Sequence, residues 1–123
     1  MLNLQFSKHP DGLLIVAFSG VVPNGSVGNT TITAARVSLA DIFNTNPDCS
    51  DLLLDFSDLT YEFGDHIGSL WIFPLSKRNL KIALVATGKS AQALTELIVQ
   101  SLPIPIFSSI ADALAAKPRW LHR

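Results

Sequence analysis

The run Asp51-Leu52-Leu53-Leu54-Asp55-Phe56 constrains the fold more than any other part of the chain. A strand with one wet face alternates apolar and polar residues, so an unbroken apolar run edged by acids reads as a strand covered on both faces. Such strands belong to parallel sheets, whose crossover connections lie over the faces and bury them. Ser57-Asp58-Leu59-Thr60-Tyr61-Glu62-Phe63-Gly64 then reads as the segment that carries the chain off the strand. Asp65 stands where a helix N-cap belongs, because Ile67, Leu70, Trp71, Pro74 and Leu75 follow at i, i+3, i+4, i+7, i+8. Pro74 predicts that this helix ends or kinks after about two turns.

The rest of the chain alternates apolar segments with amphipathic ones. Leu2–Ser7 alternates like an edge strand, His9-Pro10-Asp11-Gly12 is a turn, and Leu13–Phe18 is strongly strand-like, which predicts a β-hairpin. Ser19–Asn29 reads as a loop punctuated by Pro23, Asn24, Gly25 and Gly28. Thr30 or Thr31 then caps a helix with Ile32, Ala35, Leu39, Ile42 and Phe43 on one face, stopped by Asn44-Thr45-Asn46-Pro47. Leu80–Ala86 reads as a second buried strand and Lys89–Leu102 as a helix with Leu94, Leu97, Ile98 and Leu102 inward. Pro103–Phe107 is a short strand whose prolines suit an edge or a strand start. Ser109–Ala116 closes as a helix before a basic tail, 117–123. The order β-β-α-β-α-β-α-β-α demands right-handed crossovers between parallel strands. The expected fold is α/β: a mixed, mostly parallel sheet of four or five strands, helices mainly on one face, and an N-terminal hairpin. With 123 residues, 48% of them hydrophobic, and no repeat, residues 1–123 are expected to form one domain.

The words Leu54-Asp55-Phe56-Ser57, Leu59-Thr60-Tyr61 and Ile67-Gly68-Ser69-Leu70 resemble the strand, turn and helix of STAS domains, the family of anti-sigma-factor antagonists such as SpoIIAA and of the cytoplasmic domains of sulfate transporters. The ending Pro105-Ile106-Phe107-Ser108-Ser109-Ile110-Ala111-Asp112-Ala113-Leu114 is also similar to that family's. Where the family carries Asp-Ser-Ser-Gly, this chain has Phe63-Gly64-Asp65-His66, so a permanent carboxylate replaces the phosphorylatable serine. The resemblance implies the SpoIIAA-like topology and a regulatory role without catalysis. In the family, a kinase that is also an anti-sigma factor docks on the helix after the central strand, phosphorylates the serine, and is released by the phosphate. The residues that the resemblance designates for partner binding are Gly64, Asp65, His66 and Ser69. A helix N-terminus favours an anion, and Asp65 supplies one charge there. As a cap worth about 1 kcal/mol over alanine, it has a purely structural explanation as well.

Other motifs lack their context. Gly88-Lys89-Ser90 looks like the end of a phosphate-binding loop, but that loop needs a glycine five residues before Gly88, where Ala83 sits in an apolar run. Glu62, Asp65 and His66 fall at metal-ligand spacing, yet Glu62 precedes the helix and no further ligand supports them. No Gly-x-Ser-x-Gly elbow accompanies His9, His66 or His122, which argues against a nucleophilic triad. Trp71 suits core or interface packing, whereas Trp120 in the tail either covers the domain or mediates self-association, leaving a homodimer open. The single Cys49 excludes an intramolecular disulfide, and a net charge of −1 gives no electrostatic reason to bind nucleic acid or an anionic membrane. With neither a signal peptide nor a spanning segment in the sequence, the expected location is cytoplasmic. The expectation is a non-enzymatic protein-interaction module, without cofactor or metal, that binds a kinase or other regulatory protein. The alternative is a small-ligand or lipid-binding module using a cleft between the 19–29 loop and the helix that follows Asp65.

Overall fold

The computed structural model describes residues 2–9, 12–23, 25–60, 81–88, 91–92 and 104–116. Five strands, β1 (Asn3–Lys8), β2 (Leu13–Val21), β3 (Asp51–Thr60), β4 (Lys81–Val85) and β5 (Ile106–Phe107), lie side by side in the order β1-β2-β3-β4-β5. The hairpin pair β1–β2 is antiparallel and every other pairing is parallel, as the alternation of strands and helices requires. Two helices are described, α1 (Gly25–Thr45) and α2 (Ile110–Ala115).

The apolar run of β3 is central and sealed on both sides. Leu52, Leu54 and Phe56 belong to one cluster with Leu14, Val16 and Phe18 of β2 and with Ile32, Ala35, Leu39 and Phe43 of α1. Leu53 belongs to a second cluster with Leu13, Ile15, Ala83, Val85 and Ala113 of α2. The two described helices therefore divide between the faces, α1 on one and α2 on the other. Leu52, Leu53, Leu54 and Leu84 have no exposed surface, and Phe18 meets Phe56 edge-to-face at 5.0 Å between ring centres. At the sheet's far edge, β5 is two residues long and directly follows Pro105, as prolines dictate. Ser109 caps α2: its hydroxyl accepts from the Asp112 N–H at 3.1 Å.

Two expectations at the connections are corrected. The segment 19–29 is not a loop: β2 runs on through Val21, α1 begins at Gly25, and three residues join them. Glycine density suggested a loop, but Gly28 serves a close approach. It is buried in α1, and a Cβ there would overlap the Pro23 carbonyl oxygen. Thr30 and Thr31 are consequently not caps but sit inside α1, their hydroxyls donating back to the carbonyls of Ser26 and Val27 at 3.0 and 2.9 Å. The apolar face of α1 is as the spacing predicts, and the helix stops at Thr45, where the buried Asn46 donates its amide to the Ile42 carbonyl at 2.7 Å. The second correction is that β3 continues four residues past Phe56, to Thr60.

Candidate functional site

Parallel strands deliver their connections at their C-terminal ends, which is where ligands and partners of open α/β sheets are met. In this chain that end is shaped by an irregularity in β3. Ala17 pairs with Asp55, but Ser19 pairs with Asp58, so β3 spends one residue more than β2 over the same length. The Asp55 carboxylate holds this bulge by accepting the Ser57 N–H at 2.9 Å on Oδ1. The side chain is 8% exposed and sits beside Ala17 and Val85 in the register. The extra residue resets the alternation, so that Leu59 rejoins the α1 face with Phe56 while Ser57, Asp58 and Thr60 are exposed. β3 runs five residues beyond Asp55, its last partner position with β4, and its end is tied to β2 through the Val22 N–H and the Thr60 carbonyl at 2.9 Å. Nearby, β4 exits into Thr87 and Gly88, both exposed, with φ +61° at Gly88.

This is the end from which the chain continues into the segment singled out by its sequence. Gly64, Asp65, His66 and Ser69 lie outside the described residues, as do Glu62, Trp71, Lys89, Ser90 and Trp120. Among the described residues no three His, Cys, Asp or Glu side chains converge as metal ligands. Ala83 lies within β4 opposite Leu53 and has no exposed surface, so no wide phosphate loop precedes Gly88. No helix among the described residues is long and apolar enough to cross a membrane. With 19–21 in β2 and 25–29 in α1, only residues 22–24 remain of the loop expected to wall a ligand cleft, and the helix expected opposite it lies outside the described residues. Cavities lined by described residues lie elsewhere. One of about 630 Å³ opens at the N-terminal ends of the parallel strands, lined by Lys8, His9, Asn46, Asp48 and Ser50 among others. A groove of about 510 Å³ runs between Leu2 and α1.

With five strands in this order, the β1–β2 hairpin and helices on the faces, the chain superimposes on solved proteins along almost its whole length. An anti-sigma factor antagonist from Mycobacterium paratuberculosis aligns over 94% of this chain and 93% of its own, at 19% identity and a TM-score of 0.70. The fold is that of the anti-sigma-factor antagonists. SpoIIAA in its unphosphorylated form aligns over 95% and 98% at 8% identity, TM-score 0.59. An uncharacterized protein with a SpoIIAA-like fold from Shewanella loihica aligns over 93% and 91% at 16% identity, TM-score 0.50. No protein-family model matches the sequence, and no curated protein matches it. Sequence reasoning missed one residue of this region, Asp55, as the acceptor that holds the bulge. Its signal was present: the α1-facing positions run 52, 54, 56 and then 59, a step of three where a flat strand steps by two.

Proposed function

We propose that this chain is a single-domain, non-enzymatic, cytoplasmic regulatory module of STAS type that binds a kinase or related regulatory protein. Its docking surface is the segment following β3, with Gly64, Asp65, His66 and Ser69 as the contact residues. The observation that carries the proposal is the SpoIIAA-like fold with β3 at its centre. The Asp65 segment follows β3 in the sequence, and its resemblance to the family's motif is what supports reading it as the counterpart of the phospho-acceptor serine's segment. Asp65 takes the serine's place with a fixed charge, so control by phosphorylation at that position is lost or locked. An acid and a histidine in one turn offer a partner charge-assisted hydrogen bonds.

The test separates cap from contact. Asp and Asn cap helices about equally well, so Asp65→Asn keeps the structural role while removing the charge. Expected is a severalfold loss of capture of the partner from native lysate, quantified by mass spectrometry, with an unchanged melting temperature. Capture that survives both Asp65→Asn and the bulky Ser69→Arg places the docking face elsewhere.

A further inference from the structure

We infer that the open edge of β1 is a self-association surface, at which a second copy of this chain adds its own β1 across a two-fold axis centred on Gln5. Among the described residues β1 is the terminal strand of the sheet, six residues long, and pairs with β2 along one flank only. The His9 N–H donates to the Leu13 carbonyl, which makes the odd positions of β1 the ones hydrogen-bonded to β2. Leu4, Phe6 and Lys8 therefore turn their N–H and C=O groups to the open flank, a ladder without a partner among the described residues.

A two-fold axis perpendicular to the sheet keeps like faces together, so it must pair positions of equal parity. Centred on Gln5, it pairs Leu4 with the second copy's Phe6, Asn3 with its Ser7, Leu2 with its Lys8, and Gln5 with Gln5. Both faces are then complementary. On the polar face, Gln5 meets Gln5 and Asn3 meets Ser7, each pair able to share a hydrogen bond. On the α1 face, two Leu4–Phe6 contacts form, covering Phe6, which is 49% exposed, a large apolar side chain for an open edge. The same contact brings an aromatic ring one residue pair from Leu2, which lines the 510 Å³ groove with Val27, Thr30, Thr31 and Ala34. Val27 there is 62% exposed.

Charge selects the second copy as occupant. Residues 2–7 and 25–35 contain no Asp, Glu, Lys or Arg, so a two-fold contact doubles no like charge, while an acidic or basic partner finds nothing to pair with. The one gatekeeping charge, Lys8, is drawn to Asp48 of its own chain at 3.3 Å. An interface of one strand and one aromatic per copy falls under the about 1,200 Å² of stable complexes, so the dimer fraction rises with concentration.

The experiment is sedimentation velocity of the full chain from micromolar to millimolar concentration, on the wild type, Phe6→Lys and Gln5→Cys. Expected is a reversible monomer–dimer equilibrium that Phe6→Lys weakens at least tenfold without lowering the melting temperature. The pair at the axis is of the non-hydrogen-bonded kind, with Cα atoms about 4.5 Å apart, inside the roughly 4.4–6.8 Å that a disulfide spans. Gln5→Cys is therefore expected to yield a covalent dimer on mild oxidation, while Leu4→Cys, which faces Phe6, does not. A monomer at every concentration with no Gln5→Cys cross-link overturns the inference, whether solvent or another part of the chain covers the edge. So does a dimer indifferent to Phe6→Lys, which would be built on another face.

Discussion

Gly28→Ala tests the β2–α1 connection directly, and two effects of opposite sign decide its outcome. An exposed glycine inside a helix is normally a weakness, and alanine in its place adds about 1 kcal/mol. Gly28 is different because it is buried and its missing Cβ is occupied by the Pro23 carbonyl oxygen, with Val22 Cγ1 3.6 Å away. A clash with a backbone atom is not relieved by turning a side chain. The Val22–Pro23 backbone must move, and the Val22 N–H bond to Thr60 together with the burial of Val22 resists that. Overpacking costs roughly 1–3 kcal/mol, and a backbone contact belongs in the upper half of that range. After subtracting the gain in helix propensity, the expected loss is about 1–2 kcal/mol. For a chain of this length that is a fall in Tm of about 3–10 °C. Thermal and urea unfolding followed by circular dichroism measure it, with the exposed Ser38→Ala as control, expected within ~0.5 kcal/mol of wild type. A Gly28→Ala variant that melts higher than wild type would refute the close approach and with it the three-residue connection.

Other perturbations probe the centre of the sheet and the end of β3. Leu53→Ala should cost about 2–5 kcal/mol in urea unfolding, since the side chain is wholly buried; a loss under ~0.5 kcal/mol would be the behaviour of a surface position. Asp55→Ala should cost about 1–3 kcal/mol by removing the acceptor of the Ser57 N–H. Asp55→Asn keeps an oxygen there and should cost less, so equal losses would assign the effect to charge instead. Millimolar Mg-ATP should leave the melting temperature unchanged, whereas a saturable shift abolished by Lys89→Ala would mean that a phosphate site forms without its first glycine.

The sheet was legible because its signals are collective. Leu52–Leu54 and Ile82–Val85 are unbroken apolar runs, and the 32/35/39/43 spacing of α1 survives several polar interruptions. The misread stretches are those where one tertiary contact outweighs local propensity. Pro23, Asn24, Gly25 and Gly28 are loop-formers one by one, yet Gly28 is there for the Pro23 carbonyl, and α1 extends through it. Likewise Ser57 and Asp58 are turn residues by composition, but a bulge held by the Asp55 side chain keeps them in the strand. That a connection leaves the sheet at the end of β3 was legible from the strand itself. Gly64, Asp65, His66 and Ser69 rest on the resemblance of their sequence, because no periodicity tells a cap from a contact.

The mixed sheet assigns its two proposed contacts to places that do not compete. β2, β3, β4 and β5 are parallel, so their C-terminal ends share one end of the sheet, where the chain leaves β3 toward Asp65. β1 alone runs the other way, and its open flank lies to the side. The opposite edge is poor ground for a ladder, because β5 has two residues and follows a proline. Pairing β1 with a second β1 across a two-fold axis reverses every strand of the second copy. The two β3 ends then point to opposite ends of a continuous ten-stranded sheet, one docking site at each. Partner binding and self-association are therefore additive: Phe6→Lys should halve the partners carried per assembly while leaving the affinity of each site unchanged. An affinity that falls with Phe6→Lys would mean that the docking site is shared between copies.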